Sequence, residues 1–139
     1  MDYRRFEQTI IARIDKGEEI LEQLKEIALK ENIFLANINA LGALSEFTVG
    51  VFDTKEKQYY ANSFSGNYEI VSLTGTISTM NGEYYAHLHM SAGDREGKVF
   101  GGHLNKAIVG ATCEMVIQII NGKVDRKFSE EIGLNLFEF

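Results

Sequence analysis

The alternation of apolar and polar positions predicts a chain dominated by β-strands, with one early helix. Phe6 to Ile14 alternates, carries β-branched residues and reads as a first strand. Asp15-Lys16-Gly17-Glu18 then reads as a helix start, with Asp15 as N-cap and Glu18 three residues on. The helix runs to about Glu31, with Ile20, Leu21, Leu24, Ile27 and Ala28 on one face. Glu18, Glu19 and Glu22 crowd its start and Lys25 and Lys30 follow, which suits the helix dipole. Beyond it the period changes to two. Ile33 to Leu44 is apolar with small residues and reads as buried; Phe47 to Phe52 alternates. Asp53-Thr54-Lys55-Glu56 turns, and Gln58 to Phe64 returns. Tyr68 to Met80 is a long strand with a bend expected at Gly75. Asn81-Gly82 signals a two-residue hairpin into Tyr84 to Ala92. Gly93 to Gly97 is a polar turn before Lys98 to His103, and a short second helix is expected near Asn105. Ala111 to Ile120 is a further strand, with Asn121-Gly122 turning into Lys123 to Phe128. The expected fold is α+β: one compact domain over residues 1–139, a central mixed and largely antiparallel sheet, and one or two helices packed on it.

Composition narrows the function classes. With 139 residues the chain can bury a real core. Thirteen glycines and no proline leave turns to Gly, Asn, Asp and Ser. The net charge of -6 argues against autonomous duplex binding, because affinity for DNA comes largely from cations displacing counterions along phosphates. A single cysteine, Cys113, rules out a disulfide framework within the chain. The start, Met1 to Phe6, is polar and charged rather than an apolar signal core, and no run reaches membrane-spanning length, so a cytoplasmic protein is expected.

The chemistry concentrates in three histidines, the whole supply of the chain: His87, His89 and His103. Tyr85-Ala86-His87-Leu88-His89-Met90 reads as a strand, so His87 and His89 share a face while Leu88 and Met90 take the other. Two imidazoles one pleat apart can hold one metal ion, and His103, after Gly101-Gly102, can complete a three-histidine set with an open position. Zinc is the first candidate; iron, nickel and copper also suit imidazole. The rival reading is a polar sheet face whose histidines hydrogen-bond to neighbours. Cys113 shares a face with Met115, Ile117 and Ile119 and reads as core, not as a ligand. Glu114, on the opposite and more polar face with Thr112 and Gln118, is the candidate for a group beside the histidines, orienting a ligand or acting as a base. No catalytic residue beyond that candidate is indicated. Gly93 to Gly97 lacks the spacing of a phosphate loop, and no Gly-x-Ser-x-Gly, Cys-x-x-Cys or His-Glu-x-x-His element occurs.

Two blocks resemble the plants and prokaryotes conserved (PPC) domain family. Gly66-Asn67-Tyr68-Glu69-Ile70-Val71-Ser72-Leu73-Thr74-Gly75 is similar to the family's Gly-Arg-Phe-Glu-Ile-Leu-Ser-Leu-x-Gly block. His87-Leu88-His89-Met90-Ser91-Ala92, then Gly97 to Leu104, then Ala111 to Ile117, resembles the bacterial and archaeal branch in order and spacing. The resemblance runs from Arg4 to about Phe128. It implies a homotrimer, with a metal site from His87, His89 and His103 near a subunit boundary. In plants the domain follows AT-hooks in nuclear DNA-binding proteins. A chain without proline cannot hold the Arg-Gly-Arg-Pro core of a hook, and Asn67 and Tyr68 replace the Arg and Phe of the plant partner motif. The expectation is a homotrimeric binding or regulatory protein, associated with DNA weakly or indirectly at most. The alternative is a small metal-dependent enzyme of unassigned substrate. A small-molecule ligand at the metal would fit either.

Overall fold

The computed structural model describes residues 1–139. In order, the elements are β1 (Asp2–Phe6), β2 (Thr9–Asp15), α1 (Ile20–Lys30), β3 (Ala36–Asp53), β4 (Gln58–Met80), β5 (Glu83–Gly93), β6 (Val99–Ile119), β7 (Asp125–Ser129) and β8 (Leu134–Glu138). The first six strands form one antiparallel sheet in the order β1-β2-β6-β3-β4-β5; β7 and β8 form a separate two-stranded sheet. The long β6 has three partners, keeping β3 along one edge and exchanging β5 for β2 along the other. Its second half lies between β2 and β3, and its first half pairs with both β3 and β5. Strands β3, β4, β5 and the start of β6 therefore close into a ring. The α+β content is as expected, with the sheet more dominant and a single helix.

Packing divides the sheet into two faces. Ile10, Ala12 and Ile14 of β2, Ile38 of β3, Leu73 and Ile77 of β4, and Met115 and Ile117 of β6 are buried. Against them lie Ile20, Leu24, Ile27 and Ala28 of α1, the stripe expected from the helical period. Cys113 belongs to this core, and burial pushes its thiol up to about 12, so it is chemically inert. Phe47, also fully buried, stacks on Phe64 at 4.8 Å and meets Tyr68 edge-on at 5.0 Å.

Several boundaries depart from expectation, each for a local reason. The strand expected over Phe6 to Ile14 is found as β2, the second arm of a hairpin with β1 that turns at Glu7 with φ 52°. The carboxylate of Glu18 does reach back to the Asp15 N–H, at 2.8 Å. The helix nevertheless starts later, capped by Glu19, whose side chain accepts from the Glu22 N–H. Gly17, with a left-handed φ of 87°, donates to Val109 O on β6 and Glu18 O accepts from Val109 N–H, which ties this segment to the sheet and delays the first turn. Gly75 is no bend: the register runs unbroken through it, and the irregularity lies between Ile70 and Ser72. The second helix near Asn105 is absent. A bulge sets Leu104 opposite Val49 and Lys106 opposite Thr48, so Asn105 is an extra residue. Burial then steps from Leu104 to Ala107, an interval that imitates a helical period within a continuous strand. The two Asn-Gly pairs also part company. Asn81 and Gly82 have φ of 54° and 78° and close the β4–β5 hairpin. Asn121 and Gly122 are not among the residues with positive φ; instead the chain crosses to the end of β4, where Thr79 N–H donates to Val124 O. As a result β7 pairs with β8 and not with β6.

Candidate metal centre

The sheet face turned away from α1 carries the three histidines. His87 and His89 alternate with the buried Leu88 and Met90 on β5, and the β5–β6 pairing sets His103 directly opposite His89. His103 also pairs with Gly50 of β3, so it stands at the corner where the ring closes. The imidazole centroids are 5.1, 5.1 and 5.6 Å apart, and their ligand nitrogens all lie within 4.8 Å of one another. A tetrahedral ion with bonds of about 2.1 Å holds its ligands about 3.4 Å apart, a gap that small side-chain rotations close.

Glycines make this geometry attainable. A Cβ on Gly75 would meet the His87 carbonyl oxygen at 2.3 Å, so β4 can approach the histidine strand only without a side chain there. A Cβ on Gly102 would strike the Gly50 carbonyl oxygen at 2.5 Å, and one on Gly50 would overlap the Tyr59 ring. Tyr59 lies across Gly50, directs its hydroxyl to Asn105 and meets the His103 ring edge-on at 6.1 Å.

The electrostatics leave the nitrogens free for a cation. Burial, then the neighbouring His103 and His89, then Arg126 lower His87 to about 4; burial and His89 lower His103. Both are therefore neutral at pH 7, with lone pairs available. None of the three imidazoles hydrogen-bonds to another protein group; the contact near His103 is to its backbone oxygen. The rival reading, a hydrogen-bonded polar face, lacks the bonds it needs. Beyond His89 the face dips into a hollow of about 260 Å³ lined by Ser72, Thr74, Ser91 and the Gly101–Gly102 backbone.

Glu114 is not brought to this centre within one chain. It lies opposite Leu41 and Arg13, and β3 and β4 intervene between its part of β6 and β5. Three strand spacings amount to about 14 Å. Cys113 is equally remote, in the core behind the sheet. A residue that sequence reasoning missed is Arg126 on β7. Its guanidinium lies between the rings of Tyr85, at 4.7 Å, and Phe137, at 4.2 Å. Its Nε donates to Ser78 Oγ and its Nη1 to the Asn135 carbonyl, both at 2.9 Å. No sequence signal marked it, because its position depends on where β7 crosses the sheet.

Comparison with known proteins follows this architecture. The family model described as the Plants and Prokaryotes Conserved (PCC) domain matches residues 1–121. A candidate DNA-binding protein of Bacteroides thetaiotaomicron is 32% identical with a TM-score of 0.96, covering 99% of this chain and 96% of that one. A plant- and prokaryote-conserved protein of Pyrococcus horikoshii is 36% identical, TM-score 0.86, over 99% and 94%. A metal-containing protein of Archaeoglobus fulgidus is 29% identical, TM-score 0.87, over 99% and 97%. Among curated relatives, the bifunctional protein GlmU of a Synechococcus strain is 26% identical over 107 residues, 76% of this chain. The match spans 16% of that relative's length.

Proposed function

The chain belongs to the Plants and Prokaryotes Conserved domain family, and on that premise we propose that it is a homotrimeric binding or regulatory module built around a metal ion held by His87, His89 and His103. The observation that carries this reading is the convergence of three imidazoles without protein hydrogen bonds on the open face of the sheet, with burial lowering His87 and His103. The donor set has no thiolate and no carboxylate, and three imidazoles with a vacant position suit zinc first. The test is the metal content of protein prepared without a histidine tag. About one ion per chain is expected, and protein that stays metal-free after exposure to equimolar zinc would contradict the reading.

A second reading, a small metal-dependent enzyme, is favoured by the hollow beside His89, which offers room for a ligand next to the open position. A metal there would supply Lewis acidity or an activated water. The protein would contribute the three imidazoles and the hydroxyls of Ser72, Thr74 and Ser91, which can orient a polar ligand.

Support for assembly lies on the same face. Phe6, Ile11, Leu41 and Val116 are 58, 45, 59 and 40% exposed and point away from α1. Apolar side chains grouped on one sheet face mark a contact surface, and burying them between subunits would bring the histidines to a boundary. No helix is long and apolar enough to cross a membrane. Light scattering at micromolar concentration is expected to give about three times the 15.6 kDa chain mass; a monomer would refute the assembly.

Similarity to a candidate DNA-binding protein brings DNA into consideration, but the charge works against direct contact. Fourteen Lys and Arg stand against 20 Asp and Glu, and trimerisation triples the excess. In a gel-shift titration at physiological salt, no complex is expected below micromolar protein. Submicromolar binding to a defined duplex that survives nonspecific competitor would overturn this.

A further inference from the structure

Arg126 is 7% exposed, yet it has no carboxylate partner. The ion pairs of the chain all lie elsewhere. The adjacent Asp125 turns its carboxylate to the Thr79 hydroxyl instead. A buried cation without an anion is costly. Two aromatic faces offset part of that cost, and Ser78 and Asn135 take Nε and Nη1. Nη2 donates to no protein atom. It is not sealed in either, since the fully enclosed side-chain polar atom without a partner is the Tyr84 hydroxyl.

The guanidinium packs on Tyr85 and Ser78, which pair across β5 and β4 one strand repeat along from the pair His87 and Thr76. Tyr85, on which it stacks, and His87 are two residues apart on β5 and share a face, a separation of about 6.7 Å. A divalent ion on the three imidazoles would therefore have a second fixed positive charge close by. The grouped ligands include no Asp or Glu to balance either one. A metal there and an unpaired Arg126 together favour an anion bound between them.

We propose that the centre takes a small oxyanion, a carboxylate or a phosphate, bound through one oxygen to the metal and through another to Arg126. This rests on the three-histidine metal reading and gives its open position a ligand class. A carboxylate bonded at one end to an ion and at the other to a guanidinium spans about 6–7 Å, and the residues that carry the two ends, His87 and Tyr85, are one strand repeat apart on β5. The planar fork of arginine suits such a group. Arg126 also lies beyond residues 1–121, which the family model matches, so this part of the site is supplied by the C-terminal hairpin of this chain.

The test uses the full chain loaded with cobalt(II), whose visible absorption reports its coordination. Lactate, succinate and inorganic phosphate are titrated separately, which distinguishes the two oxyanion sources. At least one is expected to shift the spectrum with a submillimolar Kd. Arg126→Lys keeps the charge but loses the fork; Arg126→Gln loses both. Each is expected to weaken oxyanion binding at least tenfold while cobalt affinity stays within about threefold. A role confined to holding the hairpin would move thermal stability and leave the anion Kd unchanged. A wild-type spectrum unmoved by all three anions at 10 mM overturns the proposal whether or not the variants fold. Undiminished anion binding by a folded Arg126 variant overturns it too. Failure of the wild type to bind cobalt at all is a different result: it removes the metal reading and this proposal with it.

Discussion

Replacing His87 by alanine is expected to drop bound metal from about one ion per chain to less than about a tenth. Structural and catalytic zinc sites need at least three protein ligands. Removing one of three leaves a pair that competes poorly with water and buffer. His89→Ala and His103→Ala should act alike, because the three rings are nearly equidistant and none dominates the cluster. Folding should survive each change. The imidazoles have no protein hydrogen bonds to lose, and His89 is exposed. Elemental analysis after gel filtration, with circular dichroism on the same samples, separates the two effects. Stoichiometric metal retained in the triple alanine variant would show that the ion binds elsewhere.

The second large effect is expected from Gly75→Ala, a change that touches no histidine side chain. The added methyl would lie 2.3 Å from the His87 carbonyl oxygen and 2.7 Å from Leu88 Cα. Both are backbone atoms of the neighbouring strand and cannot turn aside. Either β4 and β5 separate locally or the methyl strains its own strand. Forced overpacking of this kind costs about 3 kcal/mol. Separation would also displace His87 relative to His103, whose place is set through β6 and β3. Denaturant titration should therefore show a lower midpoint, and metal affinity should fall by more than tenfold in the folded fraction. Wild-type stability with wild-type metal binding would mean that the strands tolerate a side chain at this point.

The histidine pair was legible in the sequence because strand alternation alone sets His87 and His89 on one face. His103 needed more: its partner strand and register had to be known, and the pairing with both His89 and Gly50 is a tertiary fact. For Glu114 the alternation was read correctly, since it does lie on the face away from Cys113. Periodicity gives the side of a sheet but not how many strands intervene, and here two do. The early helix followed from its apolar stripe, while its start was moved by backbone bonds to Val109, a residue some ninety positions away. The bulge at Asn105 made a strand look briefly helical. The two Asn-Gly pairs carry the same local signal, and only one adopts the positive φ that a tight hairpin requires. That second pair hid the crossing of β7, and with it the packing of Arg126 on Tyr85 and Ser78.

The central claim, a metal ion on three histidines, is tested most directly by diffraction from crystals of untagged protein, recorded on either side of the absorption edge of the metal found by elemental analysis. The account predicts one anomalous peak per chain, within about 2.2 Å of a nitrogen from each of His87, His89 and His103. A stoichiometric metal whose peak lies elsewhere, or crystals grown with zinc that show no peak between these three rings, would contradict it.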